Sequence, residues 1–347
     1  MSAAPAAPTG EGRAGGGVDR SFRRLVGTTV IATFALIVVG GIVRVSDSGL
    51  GCGPAGSGLN GWPLCKGDVV PGLDLNAVVE YTHRALAGVV GIMMIVLAVM
   101  AWRRYREHRG IVCAATGAAV LVIAQGLLGA ATVEGNLEEG LVATHLALAM
   151  VLLALLLYIG HASRPEAIGA PAAEGGRGFR PLALVASGAI FLTIVAGGYM
   201  AGTQNYGRAD YQVGDGAHHA CGKEFPTCNG EFLPFGQARL VDIHLTHRVL
   251  MYLATVLVLA LIVLALRRRP SAGVVRYAWI VLGLLALQLV VGALNVWLDE
   301  YELLIVGHLA LATLLWGMLA TLAMALYRVP SPGLEPSTRG RTEAVTA

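Results

Sequence analysis

Ionisable side chains set in long apolar runs are where chemistry should be sought in this sequence, because burying them in hydrocarbon is costly. Four histidines answer that description: His83, His145, His247 and His308. They fall into two pairs. His83 lies in THR (82–84) and His247 in THR (246–248), an offset of 164, while His145 and His308 each open the string HLALA, an offset of 163. Two neutral imidazoles on facing helices, each offering one lone pair, form an axial clamp for a haem iron. The second ring nitrogen of each must then find a hydrogen-bond acceptor. Hydrogen bonding between helices is the plainer use of a membrane histidine, but it gives no reason for the pair to recur at matching depth. Zinc would want four ligands in a tetrahedron, and two histidines per pair fall short. His108 and His161, beside loops on the opposite side, and His218 and His219, in an outer loop, have no repeat partner and are not expected to bind haem.

The pairs sit in unequal surroundings. EYTHR (80–84) aligns with HLTHR (244–248), so Glu80 stands where the second copy has His244. At i, i+3, Glu80 shares a helix face with His83, one turn nearer the helix end. A carboxylate beside a metal-bound substrate can relay protons or offset a developing cation; otherwise it is an interfacial residue or an acceptor for a histidine N–H. The asymmetry predicts that one half does chemistry and the other holds a cofactor. Arg84 and Arg248 also match, and are suited either to haem propionates or to lipid phosphates. Gln125 and Gln288 match as interhelical hydrogen-bonders or as groups near a haem.

The elements that must position these groups are membrane helices. Of 347 residues, 55% are hydrophobic and 14% charged, against about 25% charged in soluble domains. The net charge of +3 is small and spread out, which speaks against nucleic acid. Runs long enough to span a bilayer predict helices over 24–44, 78–101, 111–131, 140–161, 182–202, 240–266, 276–296 and 303–327. The chain is therefore expected to be an all-α integral membrane protein whose eight transmembrane helices form two tandem pseudo-symmetric four-helix bundles, 21–162 and 182–328. Residues 163–181 link them, and 1–20 and 329–347 are expected to be disordered tails. Further matches at an offset of 163, AQGLLGAATV (124–133) with LQLVVGALNV (287–296) and WPLCKG (62–67) with FPTCNG (225–230), support the duplication. Gly-Gly at 40–41 and 197–198 ends the first helix of each copy. With four helices per copy, the two share a topology and an axis along the membrane normal. Lys and Arg crowd 103–109 and 267–269, with Arg164, Arg177, Arg180 and Arg328 on the same side. By the positive-inside bias that side and both termini are cytoplasmic, and the haem sites lie toward the outer face of the cell membrane.

Cys52 and Cys65 share the first long outer loop, and Cys221 and Cys228 the third. An oxidising location favours one disulfide in each, with a working redox pair as the alternative for Cys52 and Cys65. Cys113 is expected to be a free thiol on the cytoplasmic side. C-x-x-C-H is missing, which argues against covalent haem. GCGPAG (51–56) spells G-x-G-x-x-G but has neither the strand nor the helix a nucleotide site needs.

E-x-x-H-R in the second helix, T-H-R in the sixth, a histidine in the fourth and eighth, and cysteine pairs in two outer loops together resemble the haem A synthase family, over about residues 22–328. The resemblance implies oxidation of the C8 methyl of haem O to a formyl group, giving haem A for terminal oxidases. It implies that Glu80 is the catalytic carboxylate, that His83 and His145 hold the substrate, and that His247 and His308 ligate a permanent haem B. It also implies a haem O synthase as supplier and an electron-transfer partner that the sequence does not identify. Two histidines on the substrate iron leave no open position for O₂. Either one dissociates, or electrons are removed and water traps the resulting cation with Glu80 stabilising it or deprotonating the water; the second route is preferred. The main competitor is a diheme b-type cytochrome that only transfers electrons; it needs no carboxylate. A transporter of parallel repeats would place polar groups near the midplane, where this sequence is apolar.

Overall fold

A computed structural model describes residues 19–164, 179–203, 216–269, 271–298 and 302–326. Among them eight long helices dominate: α1 (Arg20–Val45), α2 (Leu75–Arg104), α3 (Arg109–Glu134), α4 (Glu139–Ala162), α5 (Phe179–Gly202), α6 (Arg239–Arg268), α7 (Ala272–Trp297) and α8 (Glu302–Leu326). All eight are long and apolar enough to cross a membrane. No strand occurs among the described residues beyond the isolated bridges Cys65–Asp68 and Cys228–Glu231. The expectations for 1–18, 165–178 and 327–347 lie outside the described residues.

The helices begin up to four residues before the apolar runs do, because polar caps extend them. Asp74 accepts from the Ala77 amide at 3.1 Å, Glu138 from Leu141 at 3.1 Å, and Ser271 from Val274 at 3.2 Å, each satisfying an N–H the first turn leaves open. Hydropathy alone is blind to such residues.

In the first half α1 and α3 each pack against α2 and α4; in the second, α5 and α7 each pack against α6 and α8. The halves meet through α4–α5, α1–α8 and α4–α8. Phe22, Met94, Ile111 and Leu156 centre one core. The other, around Val258, Leu261, Leu315 and Leu319, reaches across the interface to Ile37, Met150 and Leu153. Close approach there depends on small residues. A Cβ on Gly41 would stand 2.7 Å from the Leu309 side chain, and one on Gly198 would stand 2.8 Å from Leu146. Arg44, in the last turn of α1, donates to the terminal Ala201 carbonyl of α5 at 2.7 Å, and Arg239 of α6 pairs with Glu139 of α4.

The segments 46–74 and 216–238 close the same end of the bundle, opposite Arg103, Arg104, Arg267 and Arg268. Each carries a buried disulfide, Cys52–Cys65 in one and Cys221–Cys228 in the other. Cys113 is free and exposed. The first loop is also tied down by Glu134 at the end of α3, which accepts from the Gly56 and Gly58 amides at 2.8 and 3.0 Å.

Candidate functional site

The four repeated histidines line one cavity of about 960 Å³ that runs between the halves just inside the disulfide loops. Each ring rests against a glycine of the preceding helix. A Cβ would stand 3.1 Å from His83 if added to Gly40, 3.6 Å from His145 if added to Gly129, 3.1 Å from His247 if added to Gly197 and 2.9 Å from His308 if added to Gly292. Distances of 2.9–3.1 Å leave no room for a methyl group without moving the ring. This gives a use to the Gly-Gly pairs and to the glycine shared by the α3 and α7 repeats.

The nitrogens follow. His247 Nδ1 lies 3.1 Å from the Thr193 carbonyl, so it carries the proton and leaves the Nε2 lone pair available. His83 and His145 have Nδ1 atoms that are buried without a hydrogen-bond partner. Gln288 brings its amide nitrogen to 3.2 Å from His308 Nε2, while Gln125 donates to the His145 carbonyl at 2.9 Å. The side-chain oxygens of both glutamines are buried without a donor. Unsatisfied polar atoms this far inside a membrane protein are expensive, and a cavity lined with them is built for an occupant.

Glu80 is buried in the cavity wall one turn from His83. Its carboxylate accepts from the Cys52 amide at 2.7 Å and forms an ion pair with Arg84. Arg84 also donates to the Gly61 and Leu64 carbonyls at 2.7 and 3.1 Å. In the second half Arg248 donates to Glu224 at 2.7 Å and Thr227 at 2.8 Å, with its guanidinium 5.5 Å from the Phe225 ring. Both arginines therefore bind loop carbonyls beside the disulfides, a use that neither of the roles considered from sequence suggested. His244, which replaces Glu80, is buried and donates from Nδ1 to the Ala217 carbonyl at 2.7 Å.

His218, read from the sequence as an outer-loop residue, is brought by the structure into the cavity lining. The 3₁₀ turn Ala217–Cys221 folds back against α6 and sets His218 in the cavity wall near His244 and His247. Burial holds its imidazole well below the usual histidine range, and the neighbouring His244 and His247 push the same way. The available signal was its position three residues before Cys221, the anchor of a tethered loop. His108 caps α3 and His161 ends α4, both at the other end of the molecule.

Among the described residues, no group of three or more His, Cys, Asp or Glu could hold a metal ion by itself. A pair of imidazoles fits a metal whose remaining ligands arrive with it, as a porphyrin supplies them. The mostly apolar wall, the glycine-backed rings and the orphaned polar atoms suit a haem.

Fold and site together define a multi-pass membrane protein in which four repeated histidines line one cavity. The family profile described as COX15-CtaA, cytochrome oxidase assembly protein, matches residues 74–320, and the chain belongs to that family. It is 28% identical over 314 residues to a protein named heme A synthase from Halalkalibacterium halodurans, covering 90% of this chain and 99% of the relative. To the heme A synthase of Symbiobacterium thermophilum it is 30% identical over 312 residues, 86% and 94% of the two chains. To that of Shouchella clausii it is 28% identical over 323 residues, 90% and 99%.

Proposed function

We propose that the protein is a haem A synthase, a membrane oxidoreductase that converts the C8 methyl of haem O to a formyl group. Methyl to formyl needs one water and releases four electrons and four protons. The observation that carries the reading is the cavity's charge. Among its described lining residues Glu80 is the only acidic one, and it stands on the His83–His145 side alone. An electron-transfer cytochrome has no use for a carboxylate in one half, and the family and its named relatives favour the synthase over that alternative.

On this reading His83 and His145 hold haem O, and His247 and His308 hold haem B, which supplies a one-electron relay when bound. Glu80 acts on the substrate side: its carboxylate offsets positive charge on the oxidised methyl carbon or takes a proton from the attacking water. The Arg84 guanidinium and the Cys52 amide fix the carboxylate's position, which is the condition for such a group to be effective. His244 cannot do this work from Nδ1, whose proton is committed to Ala217. The N-terminal half (21–162) is then the substrate bundle and the C-terminal half (182–328) the cofactor bundle, related by an axis along the membrane normal. The positive charge at the end opposite the disulfides supports cytoplasmic termini and haem sites toward the outer face. A haem O synthase delivers the substrate, and a separate electron carrier takes the electrons.

Haem extraction and chromatography of the purified protein, expressed with and without a haem O source, test the reading. Haem B should always be present, with haem O or haem A joining it when the source is supplied. Haem B alone in both sites under all conditions would overturn the assignment in favour of the electron-transfer cytochrome.

A further inference from the structure

The repeated strings make the two cavity walls comparable residue by residue, and beyond the exchange of Glu80 for His244 they differ on one seam. On the seam between α2 and α3 the first half has Gly88, Gly91 and Gly126. At the offsets of 164 and 163 the second half has Tyr252, Thr255 and Leu289. A Cβ on Gly88 or Gly126 would meet nothing within 4 Å, and one on Gly91 only a Val122 methyl at 3.9 Å. The three glycines, with Ile92, Ile95 and Ile123, line the same cavity as His83 and His145. Ile92, Ile95 and Ile123 are 64%, 46% and 58% exposed on the outer surface of the bundle, so the cavity continues there as an apolar groove. From Gly88 to Ile95 it follows about 10 Å of helix rise. At its head Gln125 is 8% exposed and keeps a buried side-chain oxygen without a donor. In the second half neither Tyr252 nor Ile123's counterpart, Ala286, lines the cavity, and the Tyr252 ring packs beside Phe232 at 6.1 Å.

We propose that the α2–α3 groove binds the isoprenoid tail of the substrate porphyrin and makes the first half selective for a tailed haem. This rests on haem O being the substrate. Haem O carries a hydroxyl-bearing farnesyl chain on its ring edge, whereas haem B carries a short vinyl group there. The apolar groove suits the chain, and the orphaned Gln125 oxygen can accept a hydrogen bond from the hydroxyl at its root. Gln288 offers the same acceptor in the second half, so the groove and not the glutamine discriminates. The tail gains no hydrophobic advantage over lipid in such a place; what it gains is a fixed direction, which orients the porphyrin and its methyl group. Tyr252, Thr255 and Leu289 deny the second half that direction and leave it to a tail-less haem.

Gly126→Leu and Gly88→Tyr, made separately, each give the first half the second half's residue. At both positions an added Cβ meets nothing within 4 Å, and removing a glycine from a helix favours the helix. Protein is purified from a host that makes haem O, and bound haem O is measured per mole of haem B. The same variants are then titrated with haem B to fill the His83–His145 site. Haem O occupancy should fall about tenfold or more through overpacking of the groove, while uptake of the added haem B stays at the wild-type level. Wild-type occupancy by haem O in both variants would overturn the proposal. So would an equal loss of haem O and added haem B, which would mean that the pocket itself had been damaged. A wild-type protein that never takes up haem O would overturn the proposed function first, and the tail site with it.

Discussion

Glu80→Gln separates charge from shape at the one acidic residue among the cavity's described lining. The glutamine keeps one acceptor oxygen, enough for either the Cys52 amide or Arg84 but not both. Arg84 still holds the Gly61 and Leu64 carbonyls, and the loop keeps its disulfide and the Glu134 clamp. The structural damage is therefore local. The catalytic damage should be large: general acid–base groups contribute about 10²–10⁴-fold, which is about 2.7–5.4 kcal/mol of barrier. The assay is chromatography of haems from membranes containing the variant and a haem O source, followed in time. Haem A formation should fall by at least two orders of magnitude, haem O should accumulate, and haem B should stay near wild type because its proposed ligands, His247 and His308, lie on α6 and α8. The Cys52–Cys65 bond, read by non-reducing mass spectrometry, reports whether the loop survives. Normal haem A production would refute the reasoning. So would a defect that is mainly loss of haem B, because the chemistry would then lie outside the first half.

His247→Ala and His308→Ala should each abolish bound haem B, seen as loss of its absorbance in the purified protein, with activity falling too; His244→Ala should cost less than either. Gly292→Ala drives a methyl to 2.9 Å from the His308 ring and should lower haem B content through about 1–3 kcal/mol of overpacking; Gly283→Ala, with nothing within 4 Å, should leave the spectrum unchanged. Cys221→Ala should lower the thermal stability of the purified protein by about 2–3 kcal/mol on the loop-entropy account, and reducing agent should destabilise the variant less than the wild type, because the variant keeps only Cys52–Cys65. Reporter fusions after about residues 60 and 223 should read as external, and those after about 106 and 271 as cytoplasmic.

The sequence made the eight helices legible because a spanning segment has few alternatives in hydrocarbon. The four histidines and the Glu80–His244 difference were legible because strings recurring at offsets of 163 and 164 supply an internal comparison. Helix starts were misjudged at Asp74 and Ser271, where capping and not hydropathy decides. The role of Arg84 and Arg248 was hidden for a different reason. Their partners are carbonyl oxygens of loop residues, which carry no side-chain signature. The place of His218 in the cavity wall was not legible because a 3₁₀ turn folding back onto α6 is a tertiary event. The glycines behind the histidines could be seen as a pattern, but their purpose required knowing which ring leans on which backbone. That both histidine pairs share one cavity depends on how closely α4 meets α8.

The paired contacts Gly41–Leu309 and Gly198–Leu146 have a consequence for how the two sites can change. In a symmetric homodimer, where residue i touches j and j touches i, any substitution strikes both interfaces at once. In one continuous chain each contact is spelled by its own codons. Leu146 follows His145 and Leu309 follows His308, so the helix segment that carries each histidine is seated on the opposite half. A substitution at Gly41 therefore disturbs the His308 position first, and one at Gly198 the His145 position. Neither half can be cut away and studied alone without removing the seat beside its own cavity histidine, yet either can acquire a new residue without forcing the same change on the other.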